Sequence, residues 1–108
     1  MATYETHLPR IFAALSDPTR LAVVERLLDG PASVSELSQP FSMAPPSFLK
    51  HLRVLEEAGL VVSRKSGRVR TVGLVPDALA WVERWVLSHR ARTEQRLDRL
   101  GAFLEQEQ

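Results

Sequence analysis

Between residues 50 and 70 the chain carries six cationic side chains, Lys50, Arg53, Arg64, Lys65, Arg68 and Arg70, against two carboxylates, Glu56 and Glu57. That stretch is net +4 in a chain of 108 residues whose total is +1, so everything else sums to −3. Arginine in such density suits phosphate, because its guanidinium bonds two oxygens at once, while lysine adds a point charge. A basic module on a slightly acidic body is the footprint of local contact with a nucleic-acid backbone. For any one of these residues a solvated surface charge is the plainer reading. The clustering is what argues for a phosphate partner.

Other chemistry finds little to build on. Ser47 and His51 lie four apart, a nucleophile and base in outline, but no orienting acid, oxyanion site or glycine-rich phosphate loop accompanies them. No enzyme is expected. The chain has no cysteine, which excludes disulfides and thiolate metal sites. Its three histidines, His7, His51 and His89, are far apart in sequence. Zinc wants three or four placed ligands, so no metal and no cofactor are expected. A His89 site shared across a two-fold axis is the weaker reading. A half-buried interface histidine, whose protonation would weaken a dimer, is the stronger one.

The elements that must position the cations follow from periodicity. Phe48, Leu52 and Leu55 share one helical face, and Pro46, Lys50 and Arg53 fall on the other. Pro45-Pro46 opens this helix, and Ala58-Gly59-Leu60 closes it with a glycine suited to a C-cap. A helix pinned by an apolar stripe and showing Lys and Arg outward suits a major groove. A shorter helix precedes it, from Glu36 to about Phe41, with Ser35 as its N-cap and Leu37 and Phe41 turned inward. Ser42-Met43-Ala44 forms the turn between them. Afterwards Val61–Lys65 and Arg68–Val72 read as two strands joined by a two-residue turn at Ser66-Gly67. This is a helix-turn-helix followed by a wing, with Arg64, Lys65, Arg68 and Arg70 crowding the wing's tip. An edge hairpin kept soluble by positive charge is the bland alternative.

Upstream, residues 1 to 7 read as a mobile arm or a frayed helix start. Leu8, Ile11, Phe12 and Leu15 form a first helical stripe. Asp17 with Pro18 reads as the N-cap and first position of a second helix, which runs to about Asp29 with Leu21, Val24, Leu27 and Leu28 inward. Gly30-Pro31 stops it, and Ala32 to Val34 is short and extended. After Val75-Pro76-Asp77 one helix fills the rest. Its apolar positions, Leu79, Val82, Val86, Leu97, Leu100 and Leu104, keep one stripe if His89 and Thr93 occupy the gap. So long a stripe exceeds what a small domain covers. It is expected to pack against a second copy of itself and against that copy's Leu8–Leu15 helix, with Trp81 and Trp85 anchoring it to the body. Folding back on its own subunit is the alternative.

The ordered set of phrases has a likeness. Ala14-Leu15-Ser16-Asp17-Pro18-Thr19-Arg20, Glu36-Leu37 with Phe41, Lys50-His51-Leu52, Val54-Leu55-Glu56 and Ala58-Gly59-Leu60-Val61 together resemble the ArsR/SmtB family of winged-helix transcriptional repressors. The resemblance covers residues 8 to 75 closely and the last helix more loosely. It implies a dimer joined by the terminal helices, and for His51 a contact with DNA backbone; a packed histidine weighs equally. The chain departs from the family in two places. Prolines and Leu49 stand where the family more often has hydroxyl or amide side chains, which shifts the expected tip contacts toward backbone groups and a thymine methyl. Many relatives hold metals through cysteine pairs on the third helix or an Asp/His/His/Glu set on the last. Here Glu36 and Ser38 occupy the first place, and Asp77, His89 and Glu94 lack the spacing of the second.

At 12.1 kDa this is one domain spanning 1–108, with a DNA-binding core at 8–75 and a dimerisation helix at 76–106. The fold class is mainly α with a small β-hairpin, a winged helix-turn-helix dimerising through its N- and C-terminal helices. No apolar run reaches the length of a membrane span and no signal-peptide pattern opens the chain, so no membrane partner and a cytoplasmic location are expected. The expected partners are double-stranded DNA and a second copy, with room for a small-molecule inducer. The DNA-binding residues are Pro46, Ser47, Lys50, His51, Arg53, Arg64, Lys65, Arg68 and Arg70. The dimer interface comprises Leu8, Ile11, Phe12, Leu79, Val82, Val86, His89, Leu97, Leu100 and Leu104. The expected function is a sequence-specific repressor on an inverted-repeat operator. The rivals are a ligand- or metal-responsive sensor of the same fold and a helical interaction module that never touches DNA.

Overall fold

The computed structural model describes residues 3 to 106, with side chains from His7 onward. Their order is α1 (Thr3–Leu15), α2 (Pro18–Leu27), β1 (Ala32–Ser33), α3 (Val34–Ser38), α4 (Pro45–Glu57), β2 (Val61–Ser66), β3 (Val69–Leu74) and α5 (Pro76–Gln106). The expected arm is helical from Thr3 on; residues 1 and 2 lie outside the described residues.

Local chemistry explains the starts. The Asp17 carboxylate accepts from the backbone N–H of Arg20 at 3.0 Å, with Pro18 in the first turn, as expected for α2. For α3 the cap is Ser33, two residues earlier than expected. Ser33 Oγ accepts from the Glu36 N–H at 3.1 Å, and Glu36 Oε1 accepts from the Ser33 N–H at 3.2 Å. Ser33 has a glutamate three residues on and can close this reciprocal box, whereas Ser35 has only Ser38.

Three further expectations are corrected. The stripe of α2 is rotated toward Val23, so Val23, Val24 and Leu27 are buried while Leu21 and Leu28, past its edge, are exposed. The hairpin is part of a three-stranded antiparallel sheet of order β1-β3-β2, because Ala32 and Ser33 pair with Val72 and Thr71. A two-residue strand leaves no periodicity to read. The wing turn is Gly67-Arg68, one residue later than expected, since Ser66 already pairs with Val69. Gly67 has φ +62 at the first turn position, where two-residue hairpins of the II′ type place glycine.

The core forms where α1, α2, α4 and the sheet meet. Phe48, Leu52 and Leu55 of α4 are buried there with Ile11, Val23, Leu60 and Val72. Deleting a buried ring such as Phe48 costs about 3–5 kcal/mol. Leu8 and Ile11, expected at the subunit contact, are 6% and 0% exposed. They are used inside the protomer, because α1 lies flat on its own body. Ala78 of α5 is buried, and Trp81 and Val82 pack against the core. The Trp81 ring stacks on His7 at 4.6 Å, and Trp85 meets Phe12 edge-on at 5.5 Å, so both tryptophans tie α5 to α1. Beyond Val82 the helix leaves the body, and no side chain from Glu83 to Gln106 is buried. It does not fold back.

Candidate nucleic-acid interface

The basic face is assembled from the outward side of α4 and the wing formed by β2 and β3. Burial of Phe48, Leu52 and Leu55 fixes the rotation of α4, and this leaves Pro46, Ser47, Lys50 and Arg53 exposed. On the wing, Arg64, Lys65, Arg68 and Arg70 are all exposed. Among the described residues none of these six cations is ion-paired with a carboxylate.

Register separates the wing cations into three directions. Lys65 stands directly opposite Arg70, and Ser63 opposite Val72, on the face that carries the buried Val72. Arg64 pairs with Thr71 on the reverse face, and Arg68 sits in the turn. Like charges directly across a strand pair are destabilising. An anion lying over Lys65 and Arg70 would relieve that repulsion.

A hydroxyl links wing to helix. Arg70 Nη1 donates to Ser63 Oγ at 3.2 Å, and Ser63 Oγ donates to Glu56 Oε1 at 2.9 Å. Arg53 and Arg70 also line one cleft of about 230 Å³ between α4 and the wing, floored by Leu49 and Leu52. The sequence reading missed Ser63 and Glu56, since nothing in their spacing predicts that a strand serine will meet a helix carboxylate.

The tip of α4 differs from expectation. Pro45 and Pro46 lack N–H groups, and the N–H groups of Ser47 and Phe48 both donate to the Ala44 carbonyl, at 3.0 and 3.2 Å. The usual array of free donors at a helix start is therefore depleted. The expected backbone contact at the tip is left without its donors. Leu49 is 48% exposed and leaves the thymine-methyl contact available.

His51 stands apart from the cations. Its Nδ1 lies 3.2 Å from Arg20 Nη1 and 3.7 Å from Asp17 Oδ2. Arginine only donates, so Nδ1 accepts and the ring proton belongs on Nε2. Arg20 also donates through Nε to the Ala14 carbonyl at 2.7 Å, so one guanidinium joins the end of α1 to α4. The Arg20 backbone N–H holds the Asp17 carboxyl below the usual carboxylate range, with the charge of the Arg20 guanidinium adding. Ser33 does the same for Glu36 through its backbone N–H and its hydroxyl, with Arg26 adding.

The expected dimer stripe is largely uncovered. Phe12, Val86, Leu97, Leu100 and Leu104 are exposed, whereas Leu79 and Val82 are half-buried against their own body. Phe103 and Trp85 extend the patch and went unremarked as members of it, although Phe103 continues the spacing three residues after Leu100. His89 is exposed, with Nδ1 2.9 Å from the Trp85 carbonyl oxygen, which can only accept. Among the described residues no three His, Cys, Asp or Glu converge to hold a metal. No described helix is long and apolar enough to cross a membrane.

Comparison with known proteins bears directly on this face. A family model described as a helix-turn-helix domain matches residues 15–64. Over 80 residues, 74% of each chain, the sequence is 42% identical to the HTH-type transcriptional regulator Rv2034 of Mycobacterium tuberculosis. It is 32% identical over 87 residues to the arsenical resistance operon repressor of Escherichia coli, covering 80% of this chain and 74% of that one. The crystal structure of an ArsR family transcriptional regulator superposes with a TM-score of 0.78 at 48% identity, over 87% of this chain and 97% of that one.

Proposed function

The chain belongs to the ArsR family of winged helix-turn-helix transcriptional regulators, and from that premise we propose that it acts as a homodimeric repressor on an inverted-repeat operator. It is a DNA-binding regulator and not an enzyme. In this reading residues 8 to 75 are the DNA-binding core and 76 to 106 the dimerisation helix. The observation that carries it is the uncovered cationic surface of α4 and the wing: six exposed Lys and Arg side chains, none ion-paired to a carboxylate among the described residues, with Arg53 and Arg70 lining one cleft between the two elements.

Lys50 and Arg53 approach the major groove and its phosphates, with Ser47 and Leu49 beside them at the base edges. Arg68 at the wing tip reaches backbone or minor groove, and Lys65 and Arg70 straddle a phosphate. The detached part of α5 supports the second copy. Leu97, Leu100, Phe103 and Leu104 of one protomer would cover the partner's exposed Trp85, Val86 and Phe12 in an antiparallel pairing. A parallel pairing would leave Phe12 bare. Two recognition helices then meet successive major grooves on one face of the duplex, with half-sites about 10 bp apart centre to centre. Bound at a promoter in the cytoplasm, the dimer blocks polymerase, as befits similarity to a named repressor.

The double substitution Lys50→Ala with Arg53→Ala tests this by fluorescence anisotropy across a salt series. Log affinity should fall less steeply with log salt, by about 0.9 for each phosphate that the variant no longer neutralises. An unchanged slope and affinity would contradict the proposed use of α4.

A further inference from the structure

A cavity of about 580 Å³, open to solvent and rimmed by the exposed Arg10, Ala13, Val54 and Glu57, lies behind the recognition helix, where α1, α2 and α4 converge. Its walls are small and apolar: Ala13 and Ala14 from α1, and Val54 and Ala58 from α4. Three charged side chains reach it, Arg10, Arg20 and Glu57. Nothing in the proposed contact with DNA uses this space.

Volume, lining and charge narrow its occupant. Small-molecule sites span roughly 300–1,000 Å³ and combine apolar walls with a few placed polar groups. Two guanidiniums against one carboxylate exclude a metal or organic cation. A lone inorganic anion would satisfy the arginines but leave most of the volume and the apolar walls unused. A carboxylate with a compact apolar body fits all three features, and Glu57 would accept from a donor at its far end.

The position gives such a ligand leverage. Arg20 bonds the Ala14 carbonyl at 2.7 Å, His51 of α4 at 3.2 Å, and the Ala13 carbonyl more weakly at 3.4 Å. A carboxylate in the cavity competes for that guanidinium. Each N–H it draws away is removed from the link between α1, which faces the second subunit, and α4, which reads DNA. We propose that this cavity is an effector site for a small organic carboxylate, and that filling it loosens α4 through Arg20 and weakens operator binding. The second half rests on the repressor reading above; the first half does not.

The test begins without DNA. Isothermal titration calorimetry of the full chain with 4-hydroxybenzoate should give one site per protomer. The uncharged 4-hydroxybenzamide should bind at least about tenfold more weakly, since it cannot form the charge-assisted bond. Inorganic phosphate should bind more weakly still. Arg10→Gln should lower affinity for the carboxylate about tenfold, and Ala13→Leu, which fills the cavity from an exposed position, should abolish binding. Both variants should keep the parent melting curve. No saturable heat, phosphate binding as tight as 4-hydroxybenzoate, or variants that bind like the parent would each overturn the site. Anisotropy with operator DNA then reads the coupling. Saturating 4-hydroxybenzoate should weaken DNA binding by about fivefold, and DNA should weaken the carboxylate by the same factor. Ligand binding with unchanged operator affinity overturns the coupling. Absence of DNA binding by the ligand-free chain overturns the repressor reading instead, and leaves the calorimetric result intact.

Discussion

Arg68 and Arg70 are close neighbours on the wing, yet the structure holds them differently. Arg68 sits in the turn with no internal partner among the described residues, so it is free to follow the DNA backbone. Arg68→Ala should weaken all duplexes about equally and lower the salt slope by about one unit. An effect confined to one sequence, seen in anisotropy with specific and scrambled DNA, would contradict backbone contact. Arg70 is held by Ser63, and Ser63 by Glu56, so the wing is oriented relative to α4 through one hydroxyl. Ser63→Ala should therefore reduce specific binding several-fold with the charge of every DNA contact intact, while Ser63→Thr restores it. Equal affinity for Ala and Thr variants would mean that the hydroxyl positions nothing. Individual cations were legible from sequence because their types and clustering suffice. Their bonding was not, because a serine on β2 and a glutamate on α4 meet only after the chain folds. His51 shows the same boundary: its place beside the buried face was readable, whereas its engagement with Arg20 and Asp17 depends on α2 and α4 meeting.

Elements were readable where periodicity or capping chemistry is strong. The stripe Phe48, Leu52, Leu55 fixes α4, and Asp17 with Pro18 fixes the start of α2. Errors fell where two local solutions compete. Ser33 and Ser35 both resemble caps, and only the reciprocal bond with Glu36 decides between them. The sequence reading put Gly67 second in the turn, and the pairing of Ser66 with Val69 makes it the first. The caps carry a pH dependence whose sign follows from their carboxyls. Asp17 and Glu36 are both held below their ordinary range, by the Arg20 and Ser33 backbone N–H groups. Stabilisation from a depressed carboxyl is present above its unfolded value, near 4, and is lost as pH falls through the folded value. Chemical denaturation should thus show a midpoint flat between about pH 5 and 7 and declining below about pH 4. Asp17→Asn and Glu36→Gln should each flatten that acid limb. If both variants decline as steeply as the parent, the caps are not its source. At neutral pH, Ser33→Ala should cost about 1 kcal/mol, the usual worth of an N-cap.

The whole molecule is built as a compact head with a projecting rod. Its longest dimension is 67 Å, and α5 alone, at 31 residues, accounts for about 46 Å of rise. The apolar stripe beyond Trp85 has no cover in the protomer, and each large side chain buried there contributes about 1.5–3 kcal/mol at most. Leu100→Asp with Leu104→Asp should consequently raise the dimer dissociation constant at least about a hundredfold in sedimentation equilibrium, and should remove tight operator binding with it. A double variant that remains dimeric would place the subunit contact elsewhere. That a partner is needed was legible from the length of the stripe. The mistaken share given to Leu8 and Ile11 was not avoidable from spacing, because a helix stripe does not say which body it faces.

Selection of bound fragments from random duplex DNA by the purified chain joins these scales in one measurement. The account predicts enrichment of an inverted repeat whose half-sites lie about 10 bp apart, centre to centre. Enrichment of a single asymmetric half-site, or recovery no better than that of the Lys50→Ala, Arg53→Ala variant, would contradict it.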